Sequence, residues 1–203
     1  MVLPGETVRR YYHCRHCALI HLDPRDCLDG AAEKAFYETH QNGIADAGYV
    51  RFLRRILEPA QAFLKPGMRC LDFGCGPGPT LAVLLRQAGL CCDNYDPFFV
   101  PQPPCPPYDV IFSTEAFEHF HRPAAEFEYL VALLRPEGLI AVMTEMWTDL
   151  SRFGDWYYRR DPTHVSFYHA DTFSYLAQRY GLTCLYSDGR RALILQKQPA
   201  TST

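Results

Sequence analysis

Leu71-Asp72-Phe73-Gly74-Cys75-Gly76-Pro77-Gly78-Pro79-Thr80 lies where an apolar run, Met68–Phe73, meets a segment of helical pattern, and its reading decides the fold. Glycines at alternate positions let the backbone turn sharply and approach a ligand closely, because glycine adopts positive φ without steric cost. Pro79 and Thr80 open a helix that Gly89 closes, the early-proline, late-glycine asymmetry of helices. The unit is strand, loop, helix, and the unpaired N–H groups at the helix start suit a nucleotide-like ligand. Asp96 ends the next apolar run, Leu90–Tyr95. An acid about 20 positions beyond such a loop can accept hydrogen bonds from both hydroxyls of a ribose. A ligand-free turn is the plain alternative; the pairing of loop and acid argues against it.

Outward from this unit, Val110–Thr114 and Leu139–Met143 read as further strands and Ala124–Arg135 as a helix between them. The strands are continuous apolar runs, as expected of a parallel sheet covered by helices on both faces. Upstream, Ala31–His40 and Ala47–Leu64 read as helices; in the second, Tyr49, Phe52, Leu53, Ile56 and Leu57 recur at three- and four-residue spacing. Downstream, 147–169 reads as irregular and Thr172–Tyr180 as a helix. Leu182–Tyr186 and Ala192–Gln196 flank Asp188-Gly189, a hairpin turn signal. The expected fold is α/β: a doubly wound, Rossmann-like sheet, mostly parallel, ending in a C-terminal antiparallel hairpin.

The 203 residues are 48% hydrophobic and 21% charged, with 20 Lys plus Arg against 23 Asp plus Glu, enough for one α/β domain with a small appendage. A net charge of -3 gives no global case for nucleic acid or anionic membrane. No apolar run approaches the roughly 20 residues that span a bilayer, and Pro4, Gly5 and Glu6 interrupt any leader-like start. The cysteines number nine, an odd count, and several fall in apolar segments, so a disulfide framework is not expected and a cytoplasmic location is.

The glycines run G-x-G-x-G, with Pro79 where a dinucleotide fingerprint needs its third glycine. Asp72–Gly78, Asp96, Tyr108-Asp109-Val110-Ile111 and Leu134-Arg135-Pro136-Glu137-Gly138 occur in the order and spacing that resembles the class I S-adenosylmethionine-dependent methyltransferases, most nearly the benzoquinol methylase-like group. The likeness divides the chain into an N-terminal extension, 1–45, and a methyltransferase domain, 46–198. It implies S-adenosylmethionine as cofactor, with Asp72, Gly74, Cys75, Gly76 and Gly78 around its methionine end, Asp96 on the ribose and Pro97 and Phe98 against adenine. Only eleven residues, mostly Pro101–Pro107, separate Asp96 from Tyr108, where this family fits another helix and strand. Since proline lacks a ladder donor, the outer strand on that side is expected to be missing.

Methyl transfer needs alignment, water exclusion and a nucleophile with a free lone pair, which a histidine can generate at neutral pH. Two segments offer one. In Thr114-Glu115-Ala116-Phe117-Glu118-His119, after the third core strand, Glu115 and His119 are four apart and are expected to share a helix face, while Glu118 and His121 face solvent. The resemblance places Thr114 and Glu115 at the cofactor and His119 at the acceptor. In Trp156–Tyr168, aromatic density suggests a cap, with His164 as a second base, Asp161 as its orienter and Tyr157, Tyr158 and Tyr168 lining the acceptor. Packing of those rings onto the sheet is the plain alternative.

Cys14-Arg15-His16-Cys17 has the spacing of half a zinc knuckle, but a structural zinc needs four ligands and 1–13 hold no second pair, so no metal site is assigned. H-E-x-x-H order is absent. The expected function is methyl transfer to a small-molecule acceptor; the alternatives are an idle cofactor-binding or zinc-ribbon-like scaffold, and a nicotinamide-dependent oxidoreductase. The sequence leaves the oligomeric state open.

Overall fold

In the computed structural model the described residues are 9–39 and 43–199. In chain order the elements are β1 (Tyr11–His13), β2 (Ile20–Leu22), α1 (Gly30–Tyr37), α2 (Ala47–Ala60), β3 (Arg69–Phe73), α3 (Thr80–Gln87), β4 (Cys91–Tyr95), β5 (Tyr108–Thr114), α4 (Pro123–Leu133), β6 (Leu134–Met143), β7 (Ser166–Phe167), α5 (Ala170–Tyr180), β8 (Leu182–Ser187) and β9 (Ala192–Lys197), with short 3-10 turns between several of them. His40, the last residue of the expected first helix, lies outside the described residues.

The main sheet runs β4-β3-β5-β6-β9-β8. β4, β3, β5 and β6 are parallel, and β9 lies antiparallel between β6 and β8. β4 is the edge, as the proline stretch implies. Side chains alternate between two apolar layers. Cys70, Val110, Phe112, Ala141, Met143 and Ile194 pack with α2 and α3 on one face. Leu71, Ile111, Ile140, Val142 and Leu193 pack with α4 and α5 on the other. Each fully buried leucine or isoleucine contributes about 2 kcal/mol, so both faces hold the sheet between helices.

Helix limits follow local chemistry. Asp46 caps α2, its Oδ1 accepting from the N–H groups of Gly48 (2.7 Å) and Tyr49 (3.1 Å). α2 stops at Ala60, not Leu64. Pro59 removes a ladder donor, and the Gln61 N–H is left shared between Leu57 O and Glu58 O. α5 ends on Gly181 at φ 63°, the left-handed cap that glycine favours.

The segment 147–169 is not wholly irregular. β7 pairs with β2, which pairs with β1, in a small second sheet. Ile20, Trp147, Phe153, Tyr158 and Phe167 form its core, and the Trp147 Nε1–H donates to Ala18 O at 3.1 Å. Arg9 also holds this cap, donating to Asp161 O (3.1 Å) and Pro162 O (2.6 Å). Among the described residues, no helix is long and apolar enough to cross a membrane.

Candidate active site

The parallel strands end together, and the turns leaving β3, β4 and β5 meet there. Gly74 (φ 79°) and Gly76 (φ 62°) make the turn after β3. The N–H groups of Gly74 and Cys75 donate to Tyr95 O, at 2.8 and 3.2 Å, which binds the loop to the end of β4. The Gly76 N–H donates to Asp96 Oδ2 at 3.0 Å, while Asp96 Oδ1 accepts from Phe98 N (2.8 Å) and Phe99 N (3.1 Å). Loop and acid therefore form one wall. A Cβ on Gly74 would stand 2.5 Å from Ala116 Cβ, so the turn after β5 closes against the loop.

These turns border a cavity of about 600 Å³, within the range of roughly 300–1,000 Å³ of small-molecule sites. Gly74, Cys75, Gly76, Gly78, Asp96, Pro97, Phe98, Thr114 and Glu115 all line it. Asp72 does not: it is 2% exposed beneath the loop, where the Ala82 N–H bonds it and burial pushes its carboxyl up to about 7. It joins β3 to the first turn of α3, so it offers the cavity no direct contact.

His119, His164 and Asp161 line the same cavity. Glu115 and His119 do not share a helix face. Glu115 takes φ 49° and only a single 3-10 turn, Phe117–His119, follows. Glu115 is drawn to Arg191, whose Nη1 lies 2.9 and 2.8 Å from its two oxygens. Glu118 does not face solvent either; it is fully buried, accepting from Tyr158 OH (2.6 Å) and Thr144 Oγ1 (2.7 Å). His121 is half-exposed but borders the cavity and bonds Glu33 at 2.6 Å, which raises its pKa.

The rings of His119 and His164 lie 4.9 Å apart. His119 Nδ1 is 3.0 Å from Thr163 O and His164 Nδ1 is 2.7 Å from Tyr158 O. A carbonyl only accepts, so each Nδ1 carries the proton and each Nε2 keeps its lone pair. Burial depresses both pKa values, which keeps the rings neutral. Burial alone would raise Asp161, but His164 and the Thr163 hydrogen bonds bring it below the ordinary carboxylate range.

Residues 44–187 match the family described as a methyltransferase domain. The chain belongs to that family. No curated protein matches it significantly. Its fold is similar to those of solved methyltransferases. A candidate methyltransferase of Bacillus halodurans is 12% identical with TM-score 0.52, over 72% of this chain and 98% of that one. A candidate sarcosine dimethylglycine methyltransferase of Galdieria sulphuraria is 15% identical with TM-score 0.55, over 87% and 99%. A Haemonchus contortus phosphoethanolamine N-methyltransferase, solved with phosphomonomethylethanolamine and S-adenosylhomocysteine, is 13% identical with TM-score 0.51, over 73% and 52%.

In this methyltransferase-family chain the three cap tyrosines stand outside the cavity wall. Tyr168 is buried against Phe117 and Phe173, Tyr158 is buried over Glu118, and Tyr157 is exposed with its hydroxyl on Glu145. Packing occupies all three rings and hydrogen bonds occupy the hydroxyls of Tyr157 and Tyr158, while the buried Tyr168 hydroxyl has no partner among the described residues. Their expected place is taken by Tyr37 of α1, whose ring is 5.2 Å from His119 and 5.7 Å from Phe98. Glu33 and Tyr37 carried no motif; only the helical pattern of 31–40 pointed to their element. Arg191, which pairs Glu115 and Glu145, was equally unmarked. Cys14 and Cys17 flank the tip of the β1–β2 hairpin and gather no third ligand among the described residues.

Proposed function

We infer that the protein transfers a methyl group from S-adenosylmethionine to a small-molecule acceptor. The observation that carries this is the 3.0 Å hydrogen bond from Gly76 to Asp96, which joins the glycine loop and the acid into one surface. The cavity fits the cofactor. No atom lies within 4 Å of where a Cβ on Gly76 would stand, so the loop has an open face, and Asp96 Oδ2, which accepts one hydrogen bond, retains capacity for a ribose hydroxyl. Backbone groups of Gly74, Cys75, Gly76 and Gly78 would hold the methionine end. Pro97 and Phe98 would cover adenine, and Thr114 and Glu115 would flank the sulfonium.

The cofactor supplies an electrophilic methyl group on a positively charged sulfur. His119 and His164, which line the same cavity, would meet the acceptor and present Nε2 lone pairs to its exchangeable proton. The nine free cysteines fit a reducing, cytoplasmic compartment.

Titration calorimetry tests the reading. The full chain should bind S-adenosylmethionine and give no heat with NAD, and Asp96→Ala should weaken binding at least about tenfold, the equivalent of about 1.4 kcal/mol. A folded chain that ignores S-adenosylmethionine refutes it. Binding without methyl transfer to any acceptor supports an idle scaffold instead.

A further inference from the structure

Glu118, His119 and His164 each offer one donor atom, and these atoms lie within 4.8 Å of one another. Three ligands about 2.1 Å from a common ion stand roughly 3.4–3.6 Å apart, so the most separated pair must close by up to about 1.3 Å, shared between two side chains. We propose that these three side chains hold a divalent metal ion at the acceptor end of the cavity, and that the acceptor is a hydroxyl- or phenol-bearing small molecule that meets the methyl group beside it. This rests on the methyl-transfer reading above and names its substrate class.

The hydrogen bonds around the histidines favour coordination. Each Nδ1–H is spent on a main-chain carbonyl, Thr163 O for His119 and Tyr158 O for His164, which fixes ring and tautomer with Nε2 free. Metal-binding histidines are held in this way, because a donated second proton orients the ring and raises its basicity.

Charge gives an independent reason. Glu118 is fully buried and its carboxylate is met only by two neutral hydroxyls, of Tyr158 and Thr144. Among the described residues no lysine or arginine forms an ion pair with it; Arg191 is committed to Glu115 and Glu145. A buried anion without a cation is costly, and a bound divalent ion supplies the missing charge. With both Nε2 lone pairs on the ion, proton acceptance passes from the histidines to Asp161, whose Oδ2 lies 3.8 Å from His164 Nε2.

The donor set also narrows the ion. Two imidazoles with one or two carboxylates suit a first-row divalent cation such as Mn²⁺ or Zn²⁺, and three protein ligands leave positions open, as in catalytic sites. Such an ion acts as a Lewis acid that lowers the pKa of a hydroxyl placed beside it. An amine acceptor would gain less, since its lone pair would be tied up by the ion.

The full chain, stripped with EDTA, is titrated with Mn²⁺ and followed by electron paramagnetic resonance and calorimetry. One Mn²⁺ per chain is expected, displaced by Zn²⁺. His119→Asn and His164→Asn should each weaken Mn²⁺ binding by about 100-fold or more, as should Glu118→Gln if it folds. Cys14→Ser/Cys17→Ser should leave it unchanged. The proposal is overturned if wild type binds no stoichiometric Mn²⁺, if the histidine variants bind it as wild type does, or if the cysteine variant loses it. S-adenosylmethionine binding in EDTA is measured alongside; its loss would sink the methyl-transfer reading, and its persistence without Mn²⁺ binding would sink only the metal site.

Discussion

Gly74→Ala should reveal how tightly the turns after β3 and β5 are joined. At φ 79° an alanine pays about 1–2 kcal/mol for the left-handed backbone. Its Cβ would also stand 2.5 Å from Ala116 Cβ, an ångström or more inside ordinary carbon–carbon contact of about 3.5–4.0 Å. Overpacking of that kind costs about 1–3 kcal/mol, so the single substitution should destabilise by roughly 2–5 kcal/mol. Ala116→Gly alone should cost about 0.5–1 kcal/mol through added chain entropy. In the double variant the overlap vanishes and the backbone penalty remains, giving a favourable coupling of about 1–3 kcal/mol. Urea unfolding of the four proteins measures it, provided the m-values agree. Additivity within about 0.5 kcal/mol would refute the contact, and with it the claim that the cofactor loop and the turn carrying Glu115, Glu118 and His119 form one rigid rim.

Two further outcomes follow from buried charge. Arg191→Met leaves Glu145, whose side chain is 6% exposed, with only the exposed Arg190 at 3.7 Å, and leaves Glu115 partly solvated, so a loss of about 3 kcal/mol is expected and a fall in Tm of roughly 6–12 °C; a fall under 2 °C would show the pair to be solvated. Asp72 has its pKa raised to about 7 from an unfolded value near 3.8, so its contribution to stability is complete below about pH 4 and is lost as pH rises through about 7. Asp72→Asn should match wild type near pH 4 and exceed it at pH 8 by on the order of 2–4 kcal/mol; a difference independent of pH would mean that Asp72 is ionised in the fold.

The core was legible because its strands are buried on both sides: Cys70-Leu71 and Leu139–Met143 feed alternate residues into two apolar layers, and such runs read plainly as strands. Gly74–Gly78 and Asp96 were legible because backbone geometry at a strand end restricts the residues that fit. Glu118 was misplaced for a definite reason. A regular α-helix from Glu115 would turn it outward, but Glu115 is left-handed and the following turn is 3-10, which swings Glu118 inward beneath Tyr158. β1, β2 and β7 span three, three and two residues, too few for any period to show. Glu33 and Tyr37 reach the cavity only through tertiary packing, which no local pattern records.

β4 has no strand beyond it, and α1 supplies part of the wall on that side: the Phe98 ring stands 5.7 Å from that of Tyr37, and a Cβ on Gly30 would lie 3.8 Å from Phe98 Cε1. The wall of the cavity is thus built partly from chain that precedes the family's shared region, which begins at residue 44. The leading stretch and the glycine loop with its acid are thus separate pieces of polypeptide that share one wall. Descendants could vary the leading stretch and reshape this wall while the glycine loop and Asp96 stay as they are, and a designer could graft at the same seam.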